Sequence, residues 1–411
     1  MSFIEKRIEN RPASGEAPFR MGETFYSRTD KRGLILAGNE VFRRVSAYSW
    51  AELINAPHKT IRHPDMPKGV FWLFWDTLSK GEPIGAYVMN QAKDGLYYWV
   101  FAIALPTSDG YISLRIKPSS PVFDQISEIY TDLHAKEGPD GNSPEQSSQA
   151  LIEVLKAQGF SDYSTFATYA LTEELLFMDR AIDRARDRSV TTFKSIVAAV
   201  TELQGFMTTL AEQFEAIGSI PTNMRLHASR LEPAGGSLTA LSENYWKMAN
   251  DMTTWFNGFT SSSGNAFASI EEAINNAMLN KCAERLLEKT HGDLERERRV
   301  TDKFDLEIEK TQLKRLETEY ASNALTGLRL IEQKSQHIAN AISILKRHIS
   351  GLSTTRIMCK IEAANLPADA EGLNGIIGDF GRFQDAIEHS LEQINRHNIV
   401  VQSQARSLIP R

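Results

Sequence analysis

The sequence predicts a small α+β domain, an antiparallel sheet with flanking helices, followed by a long all-α region of antiparallel coiled-coil or four-helix-bundle type. Three observations carry this expectation. Trp50, Trp72, Trp75 and Trp99 precede residue 118, and of 15 prolines only Pro221, Pro233, Pro367 and Pro410 follow residue 145. In that first part, short apolar runs alternate with Gly-containing turns. Beyond it, apolar residues recur at alternating spacings of three and four, the period of packed helices.

Each element can be argued in order. Thr29-Asp30-Lys31-Arg32-Gly33 separates Phe25-Tyr26 from Leu34-Ile35-Leu36 and predicts a hairpin. Asn39 to Ile54 has helical spacing, and Pro67 suits the first turn of a helix that runs through Leu78 and ends near Lys80-Gly81. Three β-rich runs follow: Gly85 to Gln91, Leu96 to Leu105 and Tyr111 to Ile116. Their connectors, Lys93-Asp94-Gly95 and Ser108-Asp109-Gly110, are hairpin turns in which Gly supplies a positive φ. One face of such a sheet must be covered. Glu137-Gly138-Pro139-Asp140-Gly141-Asn142-Ser143-Pro144 is turn chemistry and reads as a linker. The chain therefore divides into an N-terminal tail (1–21), a sensor-like domain (22–118), a linker with connecting helices (119–185), a first helical hairpin (186–280), a charged connecting helix (281–319) and a second hairpin (320–411).

Residues 22–118 resemble a PAS domain, specifically that of bacterial aerotaxis receptors. The resemblance rests on Gly38-Asn39-Glu40-Val41-Phe42, Val45-Ser46-Ala47-Tyr48 and Glu52-Leu53-Ile54, and most of all on the string Pro57-His58-Lys59-Thr60-Ile61-Arg62-His63-Pro64-Asp65-Met66-Pro67. Phe71, Trp75-Asp76-Thr77-Leu78, Gly81-Glu82-Pro83, Asp94-Gly95 and Tyr97-Tyr98-Trp99-Val100 extend it. The family resemblance implies FAD held between the sheet and the helical side, and a report of redox or oxygen state. By position, Arg62, His63, Asp65 and Trp75 fall where the family's flavin-associated residues lie. Trp75 offers a π-face, Arg62 a charge for an anion, and Asn90 an amide for polar ring edges. Other readings stand beside these. Trp75 is at core spacing from Phe71 and Leu78, and His63 with Asp65 also suits a helix-start turn. Haem on His58 or His63, or no cofactor, is the alternative. Ile84-Gly85-Ala86 and Met89-Asn90-Gln91-Ala92 depart from the family pattern.

The helical half carries a repeat. Ile196, Val200, Leu203, Met207, Leu210, Phe214 and Ile217 form an a/d seam, and adding 135 gives Ile331, Ser335, Ile338, Ile342, Leu345, Ile349 and Leu352. At the same offset Leu238, Leu241, Tyr245, Met248, Met252, Trp255 and Phe259 become Leu373, Ile376, Phe380, Phe383, Ile387, Ser390 and Ile394. Because 135 is not a multiple of seven, a duplicated helical hairpin explains the match and a single heptad phase does not.

The second hairpin's tip, Ile361-Glu362-Ala363-Ala364 with Gly372-Leu373, Ile376 and Asp379, resembles that of methyl-accepting chemotaxis receptors; Asn223, Ala228, Arg230 and Leu238 match more faintly in the first. In those receptors two chains each give one hairpin, and the tip binds the chemotaxis kinase and its adaptor. The resemblance thus implies Glu362, Asn365, Leu373 and Ile376, with Arg230 and Leu238, as partner-facing residues. The implied partner is a chemotaxis-type kinase, its adaptor or another signalling protein, with a homodimer left open. Asn365 stands where the receptors have Arg, Leu373 where they have Phe, and no paired methylation site is visible.

Composition narrows the function class. Lys plus Arg number 46 against 52 Asp plus Glu, a formal net charge of −6, which argues against bulk attraction to nucleic acid. No run approaches the ~18 apolar residues of a membrane span, and the N-terminus lacks signal-peptide character. Cys282 and Cys359 lie far apart without metal-spaced partners, so a reducing cytoplasmic setting is expected. Phosphate-loop, zincin and nucleophile-elbow motifs are missing, and no enzyme is expected. The sequence therefore reads as a soluble cytoplasmic signal transducer, with a cytoplasmic scaffold bearing a cofactor-free or haem-binding PAS domain as the alternative.

Overall fold

The structure, a computed structural model, describes residues 11–138, 141–185, 187–217, 222–226, 236–261, 266–297, 301–365 and 371–410. It divides into two compact units, Met1–Val190 with Ala277–Ala324, and Thr191–Asn276 with Leu325–Arg411.

In the first unit, β1 (Phe25–Asp30), β2 (Ile35–Gly38), β3 (Ile84–Gln91), β4 (Tyr97–Pro106) and β5 (Gly110–Ile116) form one antiparallel sheet in the order β2-β1-β5-β4-β3. All five expected strands are present. Alternation along each strand sends Ser27, Thr29, Ser113, Arg115, Ala102, Ala104, Val88 and Asn90 to one face. Tyr26, Arg28, Ile112, Leu114, Phe101 and Ile103 point to the other. The β1–β2 register slips between Arg28 and Thr29.

The helical spacing over 39–54 is realised as two short helices, α1 (Glu40–Ser46) and α2 (Trp50–Leu53). The break has two local causes. Ala47 adopts a left-handed φ of 59°, and Ser49 with Glu52 forms a capping box that restarts the helix. Asn39 ties α1 to the sheet: its Oδ1 accepts from Phe42 N (3.1 Å) and Tyr26 N (3.0 Å), and its Nδ2 donates to Thr24 O (2.7 Å).

Helix α3 (Lys68–Ser79) follows Pro67, and its first backbone donors are capped from a distance. Lys68 N and Gly69 N donate to the Glu137 carboxylate at 2.8 and 2.9 Å. That cap comes from the stretch read as linker. Indeed α4 (Pro121–Lys136), α5 (Pro144–Ala157) and α6 (Tyr163–Ala181) all pack within this unit. Gly69 permits the close approach of α3 and α5, since a Cβ there would lie 2.6 Å from Ser147 Oγ and Ser148 N. On the sheet's other face, Tyr87 meets Phe101 and Phe123, and Trp99 meets Phe123 and Tyr130. Buried Glu174 on α6 accepts from Ser119 N, Ser120 N, Ser120 Oγ and Tyr87 Oη, capping α4 and fastening it to β3.

The remaining helices are α7 (Arg188–Ile217), α8 (Gly236–Ser261), α9 (Ala266–Glu295), α10 (Leu306–Ala364) and α11 (Glu371–Leu408). The charged segment 281–319 is not one helix: α9 ends at Glu295 and α10 begins at Leu306, with Asp305 Oδ1 accepting from Glu307 N at 2.9 Å. Several of its charges are not solvated. Asp293 accepts from Thr24, Glu297 accepts from Glu40 N at 2.6 Å, and Phe304 meets the Trp50 ring edge-on at 5.1 Å.

In the second unit, both seams face inward at the repeat spacing. Ile196 and Ile331, Leu203 and Ile338, Leu210 and Leu345, and Met252 and Ile387 are all buried. Residues 135 apart also touch. The Tyr245 and Phe380 rings pack edge-on at 4.2 Å, Met224 Sδ and Cys359 Sγ lie 4.0 Å apart, and Leu241 and Ile376 pack against the same cluster. No described helix is long and apolar enough to cross a membrane.

Candidate functional site

A cavity of about 380 Å3 opens between the sheet's inner face and α3, a size suited to a small molecule. Small residues, Ala102, Ala104 and Ser113, leave the floor open. Helix α3 builds an aromatic wall from Phe71, Phe74 and Trp75, residues that fall on one face because they are one, three and four apart. Trp75, 37% exposed, stands at the mouth, edge-on to Tyr111 at 5.6 Å. Gly33, at φ +79°, lies beneath it: a Cβ there would come 3.0 Å from the indole. The third side is the short 3-10 helix His58–Ile61 with Arg62.

The polar groups facing the cavity are mostly donors, and three lack partners. Arg62 Nε, Asn90 Nδ2 and Arg115 Nη1 are buried without a hydrogen bond among the described residues. Arg62 stacks its guanidinium 3.3 Å from the Phe71 centroid. Burial pulls its pKa down to about 10. Arg115, 3% exposed, donates Nη2 to Ser27 Oγ (2.7 Å) and His58 Nε2 (2.5 Å). Burial holds its pKa at about 10 as well. No carboxylate among the described residues lies within 4 Å of either guanidinium. His58 is kept neutral: burial, then the charges of Arg115 and Arg62, hold its pKa well below the ordinary value.

Of the five residues singled out for a cofactor, Arg62, Trp75 and Asn90 converge on this cavity. His63 and Asp65 do not line it. His63 Nδ1 accepts from Asp65 N at 3.2 Å, its ring meets Tyr97 edge-on, and the Asp65 side chain is 69% exposed. This is the local turn that the sequence left open. Arg115 and Ser27 escaped sequence reasoning, although Tyr111, Ser113 and Arg115 alternate with Ile112, Leu114 and Ile116. An arginine on the polar side of a buried strand was the available signal.

Among the tip residues, Glu362 accepts from Ser237 Oγ at 2.9 Å, Asn365 is exposed beyond the end of α10, and Ile376 packs against Met224, Cys359, Ala363 and Ile377. Arg230 and the side chains of Leu238 and Leu373 lie outside the described residues.

Sheet order, helical cover and cavity position define a PAS fold followed by a helical C-terminal region. A family model described as PAS fold matches residues 35–112. Over 123 residues the chain is 38% identical to the aerotaxis receptor of Escherichia coli (strain K12), covering 29% of this chain and 24% of that receptor. It is 34% identical over 74 residues to the nitrogen fixation regulatory protein of Klebsiella pneumoniae, covering 18% and 15%. The chain therefore spans a quarter or less of these curated relatives. Among solved structures, the light state of the blue-light photoreceptor Aureochrome1 LOV aligns at 16% identity and a TM-score of 0.23, covering 25% of this chain and 88% of that one.

Proposed function

We propose that this chain is a signal transducer whose PAS domain holds a flavin, FAD by the family resemblance, and reports redox or oxygen state through its helices to a partner protein. The observation that carries the reading is the donor set. Two arginines without carboxylate partners among the described residues and one amide face an aromatic-walled cavity, so a fitting ligand is flat, partly apolar and rich in acceptors along one edge. A flavin has that character and supplies reversible electron uptake when bound. Within the chain, Trp75 and Phe71 supply apolar faces, Arg62 and Arg115 hold positive charge, and Asn90 can offer a donor or an acceptor. The similarity to an aerotaxis receptor supports the same reading. Haem fits less well, because His58 Nε2 already accepts from Arg115 and His63 is off the cavity.

The test is an absorbance spectrum of the purified chain before and after incubation with FAD. Flavin bands are expected, with retention weakened by Trp75→Phe and largely lost in Arg115→Gln. A colourless chain that takes up no FAD would overturn the reading. The partner is a chemotaxis-type kinase, its adaptor or a related signalling protein. Capture with chain carrying Leu373→Asp tests the hairpin tip as the contact surface, and undiminished capture would remove it.

A further inference from the structure

The geometry points to strand β1 as the element that reports occupancy of the cavity to the first turn of α10, with the Arg28–Glu309 ion pair as its output contact. The inference rests on the ligand-sensing reading of the cavity and adds how that site is read.

Three consecutive residues of β1 divide between the two faces of the sheet. Ser27 faces the cavity side, where Arg115 Nη2 donates to its hydroxyl at 2.7 Å. Its two neighbours face outward and hold one carboxylate. Arg28 donates Nε to Glu309 Oε2 at 2.9 Å and Nη2 to Glu309 Oε1 at 2.7 Å, while the Tyr26 hydroxyl donates to Oε2. Glu309 is 1% exposed and lies in the first turn of α10. A carboxylate buried that deeply depends on its donors.

The same strand is built to adjust. Its pairing with β2 slips between Arg28 and Thr29, and Thr29 lines the cavity. Arg115 presents Nη1 to the ligand while Nη2 holds Ser27, so an acceptor on Nη1 fixes the guanidinium that positions Ser27. Ser27 in turn sets where Tyr26 and Arg28 emerge on the far face. Ligand shifts the balance between engaged and released Glu309 only by binding one arrangement better, and Arg115 is where that difference arises. The other buried carboxylates among the described residues of this unit, Glu174 and Asp179, contact Tyr87, the Ser119 and Ser120 amides, the Ser120 hydroxyl and Arg285, none of which lines the cavity.

Hydrogen–deuterium exchange on the full chain, with and without added FAD, tests the relay. In FAD-free chain, Ser27→Ala is expected to speed exchange of the amides from Lys310 to Leu313 by about fivefold or more, the lower end of ordinary coupling. Amides of α5 are expected to hold their rate. Glu309→Gln should speed the same amides, and adding Ser27→Ala to it should change nothing further. Bound FAD, followed by absorbance, should slow these amides in the parent chain and not in Ser27→Ala. The relay is overturned if Ser27→Ala exchanges like the parent, if the two substitutions act independently, or if FAD slows both chains equally. A failure to take up FAD would strike the flavin reading instead, because the FAD-free arm stands without it.

Discussion

Tyr245 and Phe380 stand edge to face with ring centroids 4.2 Å apart, and they are separated by the same 135 residues that relate the two helical hairpins. A residue that meets its own equivalent lies on a two-fold axis, as in an isologous dimer interface. Met224 against Cys359 obeys the same relation, and Leu241 and Ile376, also 135 apart, pack on that one cluster. The second hairpin thus occupies, in this unit, the place of a symmetric partner. One chain supplies both halves.

The axial pair makes a sharp stability prediction. Burial raises the Tyr245 pKa, and its hydroxyl has no partner among the described residues. Tyr245→Phe is therefore expected to stabilise the bundle by about 1 kcal/mol, because an unsatisfied buried group is removed. Phe380→Ala should cost about 3–5 kcal/mol through the cavity it leaves. Denaturant unfolding of each variant checks both. Destabilisation by Tyr245→Phe would mean that the hydroxyl does hold a partner.

Much of the fold was legible because its signals are local. Gly95, at φ +89°, marks one hairpin turn, Pro67 marks the start of α3, and the seam spacing marks the bundle. Gly110 does not supply the expected positive φ but opens β5, where a Cβ would collide with the Thr29 carbonyl oxygen. What the sequence hid is action at a distance. Glu137 looked like linker but caps α3, and Glu297 and Glu309 sit in the charged segment 281–319 yet meet α1 and β1. The site divides the same way. Arg62, Trp75 and Asn90 were found by resemblance, whereas Arg115 reaches the cavity only because β5 pairs with both β1 and β4.

His58 sets one limb of the pH profile. Its folded pKa lies well below the unfolded value near 6.5, so below that pH the unfolded chain binds the extra proton. Stability contributed by neutral His58 is then full above about pH 6.5 and lost as pH falls beneath it. Arg115 and Arg62, the charges facing the ring, deepen the effect. His58→Gln, which keeps an acceptor for Arg115, should flatten this limb. Thermal unfolding between pH 5 and 7 measures it, and an unchanged slope would show that His58 is protonated in the fold.

Glu297 acts in the opposite sense. Burial first, then Glu40 and Asp293, raise its pKa to about 7, while the Glu40 amide and Arg43 oppose the rise. Between the unfolded value near 4.5 and about 7 the folded chain holds the extra proton, so stability falls as pH rises through this window. The loss amounts to about 3 kcal/mol and is complete above the folded value. Glu297→Gln should remove that slope and leave the chain more stable than its parent at pH 8. Equal stability of the two chains at pH 8 would place Glu297 in solvent.

Gly33 joins the hairpin to the cavity, and a single methyl group there should separate folding from ligand retention. Its φ of +79° disfavours any side chain, at about 1–2 kcal/mol, and its Cβ would press the Trp75 indole at 3.0 Å. The indole stands at the cavity mouth, 37% exposed. Gly33→Ala is therefore expected to keep the PAS domain folded with a modestly lowered midpoint, while the wall that Trp75 supplies is displaced. Flavin retention after gel filtration should fall at least as far as in Trp75→Phe, and Trp75→Ala should recover part of the lost midpoint in the Gly33→Ala background by relieving the contact, the φ cost remaining. If the double variant is no more stable than the two single losses combined, the glycine serves the turn alone and not the cavity.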